Sequence, residues 1–162
     1  IKKGVRNDRG KLFIYLWKRL IPNLGTIVDT QCGFKAFKAE IIPDIIEDMI
    51  EKKFAFDIEL LLRTSLRRQD AIEKVPIAWI DSEEASTTTD LQPYLPMLKA
   101  IAAMSKKYFP DGAAKNEFIP FLEKLETDSF NTLLDHIPEA IVSREPDEFT
   151  SFDQVNVGDL QP

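Results

Sequence analysis

The hydrophobic pattern along the 162 residues changes period several times. From Lys11 to Leu20 the apolar residues Leu12, Ile14, Tyr15, Leu16 and Leu20 cover most of a helical circumference, Lys18 and Arg19 stand near its end, and Pro22 stops it. That spacing predicts a buried helix. Thr26, Ile27 and Val28 then form a short β-branched run, and Gly33 to Phe37 a second extended piece after a polar turn. Pro43 suits the first turn of a helix running to about Glu51, with Ile42, Ile45, Ile46, Met49 and Ile50 at helical spacing. Phe54-Ala55-Phe56 leads into a further helix from about Asp57 to Arg68, placing Ile58, Leu61, Leu62 and Leu66 inward and Glu59, Arg63 and Arg67 in an outward row. Val75 to Ile80 predicts a strand, with Pro76 near its start where a missing N–H is tolerated. After a polar loop from Asp81 to Gln92, Pro93 to Tyr108 predicts an amphipathic helix with Leu98, Ile101, Ala102 and Met104 on its apolar face. Helices alternating with short strands predict an α/β module, with too few strands here for a complete sheet.

Pro110-Asp111-Gly112 marks a change of character. Residues 1 to 109 carry a balance of +3 and residues 110 to 162 a balance of −9, which together make the formal −6. The expected organisation is therefore a mixed-charge module over 1–109 and an acidic extension over 110–162. In the extension, Phe118, Phe121, Leu122 and Leu125 recur at helical spacing, as do Phe130, Leu133, Leu134 and Ile137, which predicts helices near Glu117 to Leu125 and Asp128 to His136. Glu145 to Pro162 shows no sustained period and is expected to be extended or mobile.

Composition removes several classes of function. With 44% hydrophobic residues the chain has enough apolar surface for a core, so disorder throughout is excluded. One cysteine and one histidine exclude a disulfide framework and the usual zinc clusters. The longest apolar run, Leu12 to Trp17, falls far short of the ~20 residues that span a bilayer. Dispersed basic residues argue against nucleic-acid binding. Because the chain opens at Ile1 inside a basic stretch, it is expected to be a piece of a longer protein.

Three motifs carry a resemblance. Asp29-Thr30-Gln31-Cys32-Gly33-Phe34-Lys35, then Phe54-Ala55-Phe56-Asp57-Ile58-Glu59-Leu60, then Val75-Pro76-Ile77-Ala78-Trp79 occur in an order and spacing that resemble family 2 glycosyltransferases, and among them the polyprenyl-phosphate (dolichyl-phosphate) glucosyl- and mannosyltransferases. The resemblance implies that residues 1–109 are the C-terminal, acceptor-side half of a GT-A, Rossmann-like domain, followed by a small helical acidic extension. It implies an inverting transfer of a sugar from a nucleotide-sugar donor to a polyprenyl-phosphate or sugar hydroxyl acceptor. It also implies a divalent metal, Mg or Mn, held by an Asp-x-Asp motif. No such motif occurs in this chain, so the ligands belong upstream of Ile1, and the chain alone is expected to be inactive. Asp57 and Glu59 do not replace it, because residues two apart on a helix point about 200° apart.

The same resemblance selects site residues. Asp57 and Asp29 are the candidate catalytic carboxylates, Asp57 as an acceptor-activating base and Asp29 as a group orienting acceptor or sugar. The alternatives are a helix N-cap for Asp57 and a turn-capping side chain for Asp29. Arg6 and Arg9 fall in a basic stretch expected before the first helix and near a phosphate. Gln31 and Lys35 suit a sugar hydroxyl or a phosphate, Gly33 a tight backbone approach or positive φ, and Ser86 the acceptor loop. In that loop Thr87 stands where relatives often carry Lys or Arg, and Glu83 and Glu84 precede it, which widens the acceptor class beyond lipid phosphates. The expected location is cytoplasmic or at the membrane periphery. The alternative of a different class is a non-catalytic binding or assembly module, pairing copies through the helices of 93–137.

Overall fold

A computed structural model describes residues 2–24, 27, 30, 32–68, 70–78, 94–149 and 155–161, and the side chains of these from residue 8 onward. Its centre is α1 (Lys2–Leu20). Leu12, Phe13, Tyr15, Leu16, Trp17 and Leu20 are all buried, so the second half of the helix is covered on nearly every side, as the apolar pattern from Lys11 to Leu20 predicts. Residues 2–9, expected as a basic loop, are its first turns instead. Asn116 donates its side-chain amide to the Arg19 carbonyl at 3.0 Å, satisfying one of the carbonyls that a helix end leaves without a partner.

Against α1 pack α4 (Tyr94–Tyr108), with Leu98, Ile101, Ala102 and Met104 inward as expected, α6 (Phe118–Lys124) and α8 (Glu139–Val142). The short α5 (Pro110–Ala114) lies between α4 and α6 in sequence, and α7 (Thr127–Asp135) buries Phe130 and Leu133. α3 (Phe56–Ser65) packs against the turn at Pro22–Leu24 and against α4, adding Ile58, Leu61 and Leu62, while α2 (Ile42–Ile46) buries only Ile45. One continuous core joins residues on both sides of Pro110.

The α/β expectation is overturned. The architecture is helical, and no strand occurs among the described residues. Residues 34–38 and 71–78 have no regular secondary structure, although the β-branched and aromatic content favours strands, because a strand forms only when a neighbour accepts its N–H and C=O groups. Thr26, Val28, Trp79 and Ile80, also assigned to strands, lie outside the described residues.

The second helix is shorter than its pattern. It ends where Glu47 turns extended and Asp48 takes a φ of 58°, and Ile42, Ile46 and Ile50 stay exposed.

Among the described residues the end of the chain packs on the core. Phe149, Val155 and Leu160 are buried, and Phe149 meets Tyr15 edge to face at 5.4 Å between centroids. The anchors come from α1: Lys11 Nζ donates to the Val142 carbonyl at 2.9 Å, Lys18 Nζ to that of Pro146 at 3.0 Å, and Tyr15 Oη to that of Val155 at 3.1 Å. Burial pushes the Lys18 ammonium below its ordinary value, with the charge of Asp147 opposing the shift and Lys74 adding to it. A short helix, α9 (Val157–Leu160), closes the chain behind an Asn156–Asp159 capping box.

Candidate functional site

The first and second motifs meet through side chains. Lys35 follows the bend at Gly33, where its backbone N–H donates to the Gly33 carbonyl at 3.1 Å, and its ammonium donates to the Cys32 carbonyl. The same Nζ lies 3.5 Å from Asp57 Oδ1. Both side chains are mostly covered, 14% of Lys35 and 20% of Asp57 remaining accessible, so the pair is screened less than a surface ion pair but still opens to solvent.

Asp57 is free to face Lys35 because it does not cap its helix. Ala55 occupies the N-cap with no side-chain bond, and Asp57 is the second helical residue, where the amino-terminal end of the helix favours a negative charge. The N-cap reading of Asp57 is therefore corrected. So is the glycine reading. Gly33 does not have a positive φ, and a Cβ built there meets no atom within 4 Å.

Glu59, expected to point outward, is fully buried. Its carboxylate accepts from the backbone N–H of Ile50 at 3.0 Å, that of Glu51 at 2.8 Å, and Tyr108 Oη at 2.7 Å. Arg63 Nη1 donates to the Tyr108 oxygen at 3.1 Å, and Arg63 Nη2 to the Asp44 carbonyl at 2.8 Å. These bonds tie α2, the 48–51 turn and α4 to the helix that carries Asp57. A buried carboxylate is tolerable because three donors satisfy it.

Tyr108 should leave a signature in alkali. Burial first, and then the bond to Glu59, raise its phenol above the ordinary value of 10.0, while Arg63 works the other way. The stabilisation from the neutral phenol is complete below about pH 10 and is lost as pH rises through the folded value. Urea unfolding followed from neutral to alkaline pH should show this loss in the natural chain and not in Tyr108→Phe, whose unfolding free energy at neutral pH should already be lower by about 1.5 to 3 kcal/mol for one bond to a charged acceptor. The lowered Lys18 value adds the opposite slope equally in both proteins. Identical alkaline slopes would show that Tyr108 does not carry the effect.

Arg9 Nη2 pairs with Asp135 Oδ1 at 3.4 Å, on α7, and Arg6 belongs to the first turns of α1. Asp29, Gln31 and Ser86 lie outside the described residues. The divalent metal implied by the motif resemblance finds no fitting ligands in this region. Both Glu59 oxygens already accept hydrogen bonds, Asp57 faces an ammonium, and no group of three or more His, Cys, Asp or Glu side chains is placed to hold an ion among the described residues.

Comparison with known proteins adds one similarity. Over 72 residues the chain is 34% identical to a dolichyl-phosphate beta-glucosyltransferase of Saccharomyces cerevisiae, a match covering 43% of this chain and 21% of the yeast protein. No family model and no solved structure matches. The chain thus spans about a fifth of the length of that curated relative. The similarity supports a glycosyltransferase kind in general terms, and among the described residues no helix is long and apolar enough to cross a membrane.

Proposed function

We propose that this chain supplies the acceptor-side portion of an inverting glycosyltransferase, which moves a hexose from a nucleotide sugar to a polyprenyl phosphate. The observation that carries this is the pairing of Lys35 with Asp57, which brings two of the glycosyltransferase-like motifs to 3.5 Å in a half-open setting. The yeast relative supports the acceptor class, because its name places its transfer on dolichyl phosphate.

A phosphate monoester carries about 1.5 to 2 negative charges near neutral pH. Its oxygen is then already nucleophilic and needs no base, but it needs a cation to hold it against its own repulsion. Lys35 is suited to this. Two acceptors, the Cys32 carbonyl and Asp57, fix the ammonium, and it has three N–H donors. In the transfer the phosphate oxygen bonds to the anomeric carbon of the sugar as the bond to the donor diphosphate breaks, and the nucleoside diphosphate leaves. The donor-binding groups and the metal ligands belong to the remainder of the transferase.

A second reading takes Asp57 itself as general base toward an acceptor hydroxyl, and it is favoured by a carboxylate left accessible and unused by the helix cap. Asp57→Asn in the complete transferase separates the two. With a phosphate acceptor Asp57 only positions Lys35, and turnover at saturating acceptor should stay within about tenfold of normal. Loss of a base would cost ~10² to 10⁴ in turnover. Melting should be nearly unchanged in either case, since the cap at Ala55 is untouched.

A further inference from the structure

Asp57 and Glu59 stand two apart near the start of α3, about 200° apart around its axis, so they leave the helix on nearly opposite sides. Asp57 reaches the ammonium of Lys35, and Glu59 reaches the amides of Ile50 and Glu51 and the hydroxyl of Tyr108. The start of the helix is thus held between two contacts of different character. The Lys35–Asp57 contact is a partly open ion pair at 3.5 Å, whereas Glu59 is fully buried and accepts three hydrogen bonds of 2.7 to 3.0 Å.

Whatever fixes the rotation of α3 decides where Asp57 points. The N-cap does not, because Ala55 makes no side-chain bond there. Ile58, Leu61 and Leu62 hold the helix against its neighbours, but apolar contact is non-directional and tolerates a small turn about the axis. Side chains reach about 5 to 6 Å from a helix axis, so a turn of about 20° moves a carboxylate by about 2 Å, enough to break a 3.5 Å contact. The bonds of Glu59 are directional. Their surroundings are anchored in turn: Arg63 donates to the Tyr108 oxygen and to the Asp44 carbonyl, and Lys107 to the carbonyl of Asp48, the residue whose left-handed φ of 58° shapes the 48–51 turn. An apolar side chain of similar volume would cover the same side of α3 without desolvating a charge. What the carboxylate adds is the direction of its bonds.

We propose that Glu59 is the positioning residue of the Lys35–Asp57 pair: clamped to the amides of Ile50 and Glu51 and to Tyr108, it sets the rotation of α3 at which Asp57 meets the ammonium. The consequence for transfer rests on the function proposed above. Because Asp57 there fixes Lys35 for the acceptor phosphate, loss of the clamp weakens acceptor binding through Asp57 and by no other route.

Carbodiimide coupling tests the placement without any need for transfer. The reagent activates a carboxylate, a lysine amine in contact displaces it, and the amide bond that forms marks the pair in a peptide mass spectrum. In residues 1–162 two pairs should couple, Lys35 with Asp57 and, as an internal control between α4 and α6, Lys106 with Glu123 at 2.8 Å. Glu59→Gln keeps the shape but turns an N–H2 toward donors, and it should lower the first yield at least about fivefold while leaving the second unchanged. Two unchanged yields overturn the proposal. If both yields fall, Tyr108→Phe decides, because it keeps the two amide bonds: a loss confined to Lys35–Asp57 supports the clamp, and any other result makes the network a stabiliser of the whole core and overturns it. In the complete transferase, Glu59→Gln should raise the KM for polyprenyl phosphate about 3- to 10-fold, keep turnover at saturating acceptor within about threefold, and add nothing to Asp57→Asn. An equal further loss in the Asp57→Asn background overturns the route through Asp57. A selective fall in coupling in a protein that transfers no sugar leaves the clamp and removes the transferase reading.

Discussion

Lys35→Met in the complete transferase is expected to raise the KM for polyprenyl phosphate by roughly 10- to 100-fold. Methionine keeps the unbranched side chain and deletes the charge. A hydrogen bond to a charged group is worth about 1.5 to 3 kcal/mol, and each 1.4 kcal/mol is tenfold in affinity. The loss should be larger than the simple deletion of a contact suggests, because Asp57 is left without the ammonium 3.5 Å away and then faces the incoming phosphate with a like charge. Lys35→Arg should recover part of the affinity. Its charge is retained, but its planar fork does not match a site in which a compact ammonium bonds the Cys32 carbonyl. Stability should change little, since partly exposed ion pairs contribute about 0 to 1 kcal/mol. Steady-state kinetics with varied acceptor check this. An unchanged KM with a collapsed melting temperature would make Lys35 a structural residue.

Trp17→Ala should cost about 3 to 5 kcal/mol of folding free energy, the range for deleting a large buried aromatic. Trp17 is fully buried in the central helix, within a core that also takes in α4, α6 and the docked residues Phe149 and Leu160. Against a total stability of about 5 to 15 kcal/mol, the change should leave the chain marginal at physiological temperature. Trp17→Phe should cost distinctly less. It keeps most of the ring, and the indole N–H it removes has no hydrogen-bond partner among the described residues. Urea unfolding of residues 1–162 measures both. A loss under about 1 kcal/mol for the alanine variant would show that α1 is not the centre of the core.

The parts that were legible in the sequence are those in which one segment alone holds the information. The apolar positions of α1, α3 and α4 recur at helical spacing, and the structure buries Leu16, Ile58 and Ile101 as that spacing requires. A strand is a relation between two segments. The runs at 34–38 and 75–78 have the residue types that favour strands, but they form none, and nothing in a single run says whether a neighbour lies beside it. Glu59 misled for a similar reason. Its place in a row with Arg63 and Arg67 suggests a solvated face, whereas the donors that justify its burial are the amides of Ile50 and Glu51 on a separate turn.

The docking of the last residues left a trace that could have been followed. Lys11 and Lys18 sit seven apart, hence on one face, flanking the apolar run of α1, and buried lysines there need acceptors from another part of the chain. For the site, the motifs selected Lys35 and Asp57 separately, and their contact depends on Ala55, not Asp57, taking the cap of α3.

Transfer itself tests the central claim most directly. The complete polypeptide should be supplied with radiolabelled uridine or guanosine diphosphate hexoses and manganese, and offered either polyprenyl phosphate or the corresponding unphosphorylated polyprenol. The account predicts labelled lipid with the phosphate acceptor, none with the alcohol, and a strong reduction by Lys35→Met. Labelling of the polyprenol at a comparable rate, or no labelling of either lipid by any donor, would contradict it.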